Sequence, residues 1–347
     1  MTKNESHKIK LAITQGDING ISYEVILKTF SDSRMFEHCT PILYGSTKVA
    51  SYHKKLLSQQ HQDLAFTAIH DPSQAVDKKF NVINLVPEEV KIDIGKSTEI
   101  GGKLSRMALE RACDDLQNGL VDVLVTAPIN KKNIQSPDFD FPGHTEYLSS
   151  KFNGKSLMMM VCDRIRIGIV TNHLSLKQVP EAITQELLIE KISIMHHSLK
   201  RDFGIPMPKI AVLALDPHAG DNGVIGTQDM EVVKPAIDSA YEQGMLVYGP
   251  YPSDGFFGSS EFNKFDGVLA LYHDQGLIPF KLMSFTEGVN YTAGLNIIRT
   301  SPAHGTAYDI AGKGKASEQS FRRAVHLACD ILRHRHEYDE LTANPLS

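Results

Sequence analysis

Cysteine is sparse here: four in 347 residues. Cys39, Cys113, Cys162 and Cys329 form no CxxC pair, so small buried thiols in a reducing compartment fit better than disulfides or a cysteine metal site. Long apolar runs are missing too, and none approaches the roughly 20 residues of a membrane span. The opening Met-Thr-Lys-Asn-Glu-Ser-His-Lys enters a strand at Ile9 without the apolar core of a secretory signal. The expected location is the cytoplasm. No block of like charge stands out and the formal net charge is -5, which gives no sign of a nucleic-acid or membrane partner. Three motifs are lacking as well. Gly16 and Gly20 follow the first strand, but without G-x-G-x-x-G spacing or a Walker lysine, and there is no G-x-S-x-G nucleophile elbow.

What is present is a globular chain of 41% hydrophobic and 22% charged residues, long enough for two domains or one large one with a substantial core. Strand-like runs alternate with helical periodicity. Ile9 to Thr14, Pro41 to Tyr44, Val82 to Val86, Val121 to Thr126, Leu157 to Val161, Ile165 to Val170, Ile210 to Leu215, Val268 to Leu271 and Leu295 to Ile298 read as strands. Helices are predicted from Tyr23 to Phe30, from Leu104 to a stop at Gly119, around Val232 to Tyr241, and from Phe321 to Leu332. Residues 133–145 are polar, with Pro137, Pro142 and Gly143, and read as a loop or domain crossing. The pattern is that of an α/β protein with two lobes and a cleft.

The stretch Leu269 to Lys281 draws attention first. An apolar run ends in His273, Asp274, Gln275 and Gly276, followed by Lys281 behind Pro279, which reads as a stiffened loop. Ligands of open α/β sheets bind at the carboxyl ends of strands. One such stretch alone is an ordinary polar turn. Two others repeat it, since Ile165 to Thr171 runs into Asn172-His173 and Ile210 to Leu215 runs into Asp216-Pro217-His218. Three imidazoles delivered in equivalent positions suit Zn, Co, Ni or Fe better than Mg or Ca. Three protein ligands with one position open define a catalytic metal site. A further stretch, Arg299 to Gly314, is rich in small residues and includes His304, Gly305, Thr306, Ala307 and Asp309. It allows close backbone approach to a flat or anionic ligand, and taken alone it also reads as a flexible surface loop.

The combination Pro142-Gly143-His144-Thr145-Glu146, Thr171-Asn172-His173-Leu174, Asp216-Pro217-His218-Ala219-Gly220, Tyr272-His273-Asp274-Gln275-Gly276 and Ile298-Arg299-Thr300-Ser301 resembles the 4-hydroxythreonine-4-phosphate dehydrogenase family of vitamin B6 biosynthesis, in the family's order over nearly the whole chain. The resemblance implies the two-lobed α/β/α fold shared with isopropylmalate and isocitrate dehydrogenases. The outer lobe would comprise residues 1–132 with 292–347, carrying the termini and the NAD loop. The inner lobe, 133–291, would carry the metal ligands and the dimer interface. His173, His218 and His273 would bind a divalent metal (Zn, Co or Mg). His144, Thr145, Lys281, Asn290 and Arg299 would contact the substrate, and Lys281 and Asp254 are the catalytic candidates, with the general base left open. The loop from His304 to Gly314, with His304, Gly305, Thr306, Ala307 and Asp309 as its contacts, would hold NAD or NADP. The partner would be a second copy sharing the metal site. One departure is at the first turn, where the family's Gly-Ile-Gly-Pro-Glu is Gly20-Ile21-Ser22-Tyr23-Glu24 here.

The chemistry implied is oxidation of a phosphorylated β-hydroxy acid to a ketone, with loss of carbon dioxide. The expected substrate is 4-phosphooxy-L-threonine, giving 3-amino-2-oxopropyl phosphate. A sister dehydrogenase of a phosphorylated sugar acid (threonate or erythronate), or a non-catalytic phosphometabolite-binding protein, are the alternatives.

Overall fold

The computed structural model describes residues 8–85, 89–137, 139–141 and 143–343. Val86 of an expected strand and Pro142 of an expected motif lie outside the described residues. Among the described residues there are twelve strands: β1 Lys10–Thr14, β2 Thr40–Gly45, β3 Phe66–Ile69, β4 Phe80–Asn84, β5 Val123–Thr126, β6 Leu157–Val161, β7 Arg166–Ile169, β8 Lys209–Leu213, β9 Leu246–Tyr251, β10 Gly267–Ala270, β11 Val289–Ala293 and β12 Arg299–Pro302. The chain divides into two compact units, Met1–Leu148 with Ile297–Leu332, and Ser149–Asn296 with Arg333–Ser347. His144 and Thr145 therefore fall in the first unit.

In the first unit the strands run in the order β3-β4-β2-β1-β5-β12, and every adjacent pair is parallel. Parallel strands covered on both faces read as continuous apolar runs. β1, β2 and β5 are such runs, buried almost throughout. The second unit has the order β11-β6-β7-β10-β8-β9. There β7, β10, β8 and β9 are parallel, while β6 is antiparallel to both β7 and β11. A tight turn at Asp163-Arg164 joins β6 to β7, closed by Cys162 N donating to Ile165 O at 3.0 Å. The helix Gln185–Arg201 buries Leu188, Ile192, Met195 and Leu199 on one face, the helical spacing of a core stripe. Arg335 is buried in the same unit, with Nε donating to Asp202 Oδ1 at 2.7 Å.

Three local expectations need correction. The strand expected at Leu295 to Ile298 is a bend. Gly294 turns the chain at φ 87°, and the strand resumes only at Arg299, so this arginine stands inside β12 rather than after it. The stretch read as a loop after β10 is the helix His273–Met283, with Pro279 inside it and Lys281 in its last turn. Residues 133–145 are not wholly loop either, because a helix begins at His144. β3, β9 and β11 escaped the sequence reading. Their alternating or polar residues, such as Asn290 and Thr292 in β11, break the apolar run that signals a covered strand.

His53 ties the helix Thr47–Lys55 to the first turn. Its Nε2 is 2.8 Å from Ile18 O and its ring stacks on Tyr23. Burial lowers its pKa to about 4, against the opposing hydrogen bond. The folded state thus binds fewer protons than the unfolded chain between the two pKa values. Stability should be full above about pH 6.5 and fall as pH drops towards 4. Urea titrations at pH 7.5 and 5.5 should show this loss, and it should shrink in His53→Gln. An equal loss in His53→Gln would assign the effect to other groups.

Candidate active site

Each of the three strand-end histidines leaves the sheet of the second unit just beyond a strand. His173 follows β7 in an exposed loop whose preceding residue, Asn172, is left-handed at φ 44°. His273 opens the helix after β10. Their ring centroids are 5.9 Å apart. Both line a pocket of about 370 Å³ that also includes Asn172, Leu176, Tyr272 and Asp274. His273 Nδ1 is 2.7 Å from Asp274 Oδ1. A carboxylate on Nδ1 fixes the ring and its tautomer and leaves Nε2 to the pocket, the arrangement metal-ligating histidines adopt. Two rings bound to one ion through bonds of about 2.0–2.1 Å have centroids no more than roughly 6.5 Å apart, so the observed spacing fits. His218 is in a separate exposed turn after β8. Among the described residues, no three His, Cys, Asp or Glu side chains of one chain come together as a metal site.

In the first unit, Arg299 is 2% exposed. Its Nε and Nη2 donate to Thr126 Oγ1 at 3.0 and 2.6 Å, so the end of β5 aims the guanidinium that begins β12. Burial pulls its pKa down to about 10, with Cys113 and Glu146 opposing. It remains a cation at neutral pH. His144 and the buried Thr145 open the helix His144–Lys151. Burial lowers the His144 pKa well below the usual value, helped by the positive charges of Arg299 and Lys131. Its Nε2 is buried with no hydrogen-bond partner. A neutral imidazole beside a buried guanidinium, with an unsatisfied nitrogen, suits an anionic ligand with acceptor oxygens.

The loop expected to hold the nucleotide is anchored to the turn after β1. Tyr308 donates to Asp17 Oδ2 at 2.6 Å, and Asn133 Nδ2 donates to the same oxygen at 2.8 Å. Ile21 N donates to Thr306 O at 3.0 Å. Gly20 packs so closely that a Cβ there would lie 2.7 Å from Thr306 O. Further along, Lys28 Nζ donates to Gly314 O, Ala316 O and Glu24 Oε1. The divergent Ser22 and Tyr23 are buried and internally bonded: Ser22 Oγ donates to Pro128 O and Tyr23 OH to Gln15 Oε1. They serve the turn itself. Within the loop, Gly305 and Asp309 are exposed, while His304, Thr306 and Ala307 are half-buried. His304 Nε2 is buried without a partner, and burial lowers the ring's pKa. Close backbone approach with an orphaned imidazole nitrogen is compatible with a planar ligand.

Of the remaining candidates, Asn290 is half-buried in β11 with Oδ1 unpartnered. Lys281 is exposed on the helix His273–Met283, and Asp254 is exposed in the short helix Ser253–Gly258. Sequence reasoning missed Asp17, Thr126 and Tyr308. They act through hydrogen bonds between segments far apart in the chain, for which the sequence carries no spacing signal.

The α/β architecture and the polar groups at its strand ends are those of a ligand-binding α/β protein. Comparison with known proteins makes this specific. The family model for pyridoxal phosphate biosynthetic protein PdxA matches residues 37–328, and the chain belongs to that family. A 4-hydroxythreonine-4-phosphate dehydrogenase of Bacteroides thetaiotaomicron is 52% identical over 99% of this chain and 94% of its own. The crystal structure of 4-hydroxythreonine-4-phosphate dehydrogenase from Klebsiella pneumoniae superposes with a TM-score of 0.80 at 32% identity, covering 94% of this chain and 99% of that one. A Cutibacterium acnes relative, provisionally named a D-threonate 4-phosphate dehydrogenase, is 37% identical over 93% of this chain and 94% of its own.

Tyr308→Phe removes one bond to the buried Asp17, and hydrogen bonds to charged groups contribute about 1.5–3 kcal/mol. Backbone amides from 305 to 313 should exchange faster in this variant while those of β1 and β2 keep their protection. Unchanged exchange in the loop would mean that Asp17 does not hold it.

Proposed function

We propose that the chain catalyses the NAD(P)-dependent oxidation of 4-phosphooxy-L-threonine to 2-amino-3-oxo-4-phosphooxybutanoate, which decarboxylates to 3-amino-2-oxopropyl phosphate. The observation that carries this reading is the buried Arg299 guanidinium beside the neutral, unsatisfied His144, together with family membership. His144, Thr145, Lys281, Asn290 and Arg299 are the proposed substrate contacts. Arg299 supplies a fixed cation for an anionic group, and Thr126 holds its fork in place. His144, kept neutral, offers either a donor or an acceptor at Nε2 rather than a second full charge. Lys281 and Asp254 are the proposed catalytic residues.

His173, His218 and His273 are the proposed metal ligands. A divalent ion held there supplies Lewis acidity towards the substrate hydroxyl and its ketone product. Asp274 orients His273 for this role. His304, Gly305, Thr306, Ala307 and Asp309 are the proposed nucleotide contacts, on the loop that Asp17 and Lys28 pin. The working unit we propose is a homodimer with a shared metal site. Support comes from His218 standing outside the His173–His273 pair and from exposed apolar residues of the second unit, including Leu176, Val224, Leu282 and Phe285.

The runner-up is oxidation of threonate 4-phosphate, the compound in the name of the Cutibacterium acnes relative. NADH formation with each phosphorylated acid, in the presence of Zn, Co or Mg, separates the readings. Turnover should be fastest with 4-phosphooxy-L-threonine. Preference for threonate 4-phosphate would move the chain to the sister activity, and no turnover with any hydroxy acid would leave a binding protein. Arg299→Lys keeps the charge but loses the fork, and kcat/KM should fall tenfold to hundredfold, equivalent to about 1.4–2.7 kcal/mol. An unchanged kcat/KM would remove Arg299 from the substrate site.

A further inference from the structure

Gln275 lies between the two stretches that carry His218 and His273. It is 7% exposed. Its Oε1 accepts from Leu271 N at 2.7 Å, and its Nε2 donates to Ala214 O at 2.6 Å and to Ser253 Oγ at 2.9 Å. Leu271 is two residues before His273, Ala214 is four before His218, and Ser253 adjoins Asp254. A second bond set completes the knot. Thr171, two residues before His173, donates from Oγ1 to Leu271 O at 2.8 Å and from its backbone N to the same oxygen at 3.3 Å.

These bonds lie just where the sheet stops supplying partners. The paired registers of β7, β10 and β8 end at Ile169↔Ala270 and at Leu269↔Val212. The backbone beyond is buried, as Leu271 and Ala214 are, and its amides and carbonyls still need partners. A glutamine amide meets the requirement in one way: its oxygen faces an N–H and its nitrogen faces an acceptor on each side. A glutamate of equal size would turn an acceptor against Ala214 O.

We infer that Gln275 is a positioning residue for the metal site, fixing together the strand ends that project His273 and His218, with Thr171 linking the end that projects His173. The inference rests on the proposed ligand set His173, His218 and His273. Outer-shell groups of this kind commonly alter metal affinity tenfold to hundredfold.

The test is Co²⁺ titration of the metal-free protein, followed by visible absorption, with Zn²⁺ competition against a chromophoric chelator. Wild type should bind the ion and His218→Ala should lose it; if His218→Ala binds as wild type, the ligand assignment falls and this inference with it. Given that control, Gln275→Glu should bind at least tenfold more weakly with a changed Co²⁺ spectrum. Thr171→Val should also weaken binding, and Thr171→Ser, which keeps the hydroxyl, should restore it. A lower melting temperature of metal-free Gln275→Glu with wild-type affinity and spectrum would make Gln275 a purely structural residue and overturn the inference. Should Gln275→Glu not fold, the Thr171 pair decides: equal affinity in Thr171→Val and Thr171→Ser overturns it.

Discussion

The backbone at the carboxyl ends of parallel strands is the constraint on which the rest depends. Inside the sheet each strand satisfies its neighbours, but the ladder stops before the chain has left the interior. A buried amide or carbonyl without a partner costs about 1–3 kcal/mol, so side chains have to take over. In the second unit Thr171 and Gln275 do this, and Asp229 does it for Leu215 N and Asp216 N at 2.7 and 2.8 Å. In the first unit Asp17 and Asn19 perform the same service after β1, with Asn19 reaching Thr98 Oγ1 and Asp93 N. Every proposed metal ligand is within a few residues of such a substitution of side chain for sheet.

The sequence made this arrangement partly legible. Continuous apolar runs at β1, β5, β8 and β10 mark strands covered on both faces, and the polar residues that end them mark where each run stops. Strands such as β11, where Asn290 and Thr292 interrupt Val289 and Tyr291, have no such contrast. The helix after β10 was misread for a related reason. Pro279 usually signals a break, yet it sits inside His273–Met283, where packing of buried Leu277 and Phe280 outweighs one missing backbone donor. His144 and Arg299 were singled out by motif and family resemblance together, and the structure shows Arg299 and the His144 Nε2 buried in the first unit. Thr126 and Tyr308 were illegible, because they act through hydrogen bonds to residues more than a hundred positions away.

Burial acts alike on Arg299 and His144 but leaves them in different charge states. Burial pulls down the pKa of both Arg299 and His144. Arginine starts so high that it stays charged, whereas histidine starts near neutrality and becomes a neutral imidazole. The same desolvation thus yields one cation and one uncharged hydrogen-bonding group side by side. Two adjacent cations would repel each other and would bind an anion chiefly by charge. One cation with a neutral partner keeps the attraction for an anion and adds the direction of a hydrogen bond.

The turn that bears His218 carries the last step of the argument. His218, Ala219, Asp221 and Asn222 all adopt left-handed φ values between 45° and 55°, around Gly220 at 78°. A left-handed residue other than glycine costs about 1–2 kcal/mol, somewhat less for Asp and Asn. Asp229 holds the base of this turn: it is 1% exposed, and burial raises its pKa despite the two backbone amides that favour its charged form. A buried carboxylate and a run of strained residues are both unfavourable by themselves. Together they set the direction of one exposed imidazole, which a relaxed turn of the same length would leave free to wander. Strain held in place by a satisfied buried acid would fix the proposed ligand His218 ahead of any metal, the counterpart, at the end of β8, of the role we infer for Gln275 at the end of β10.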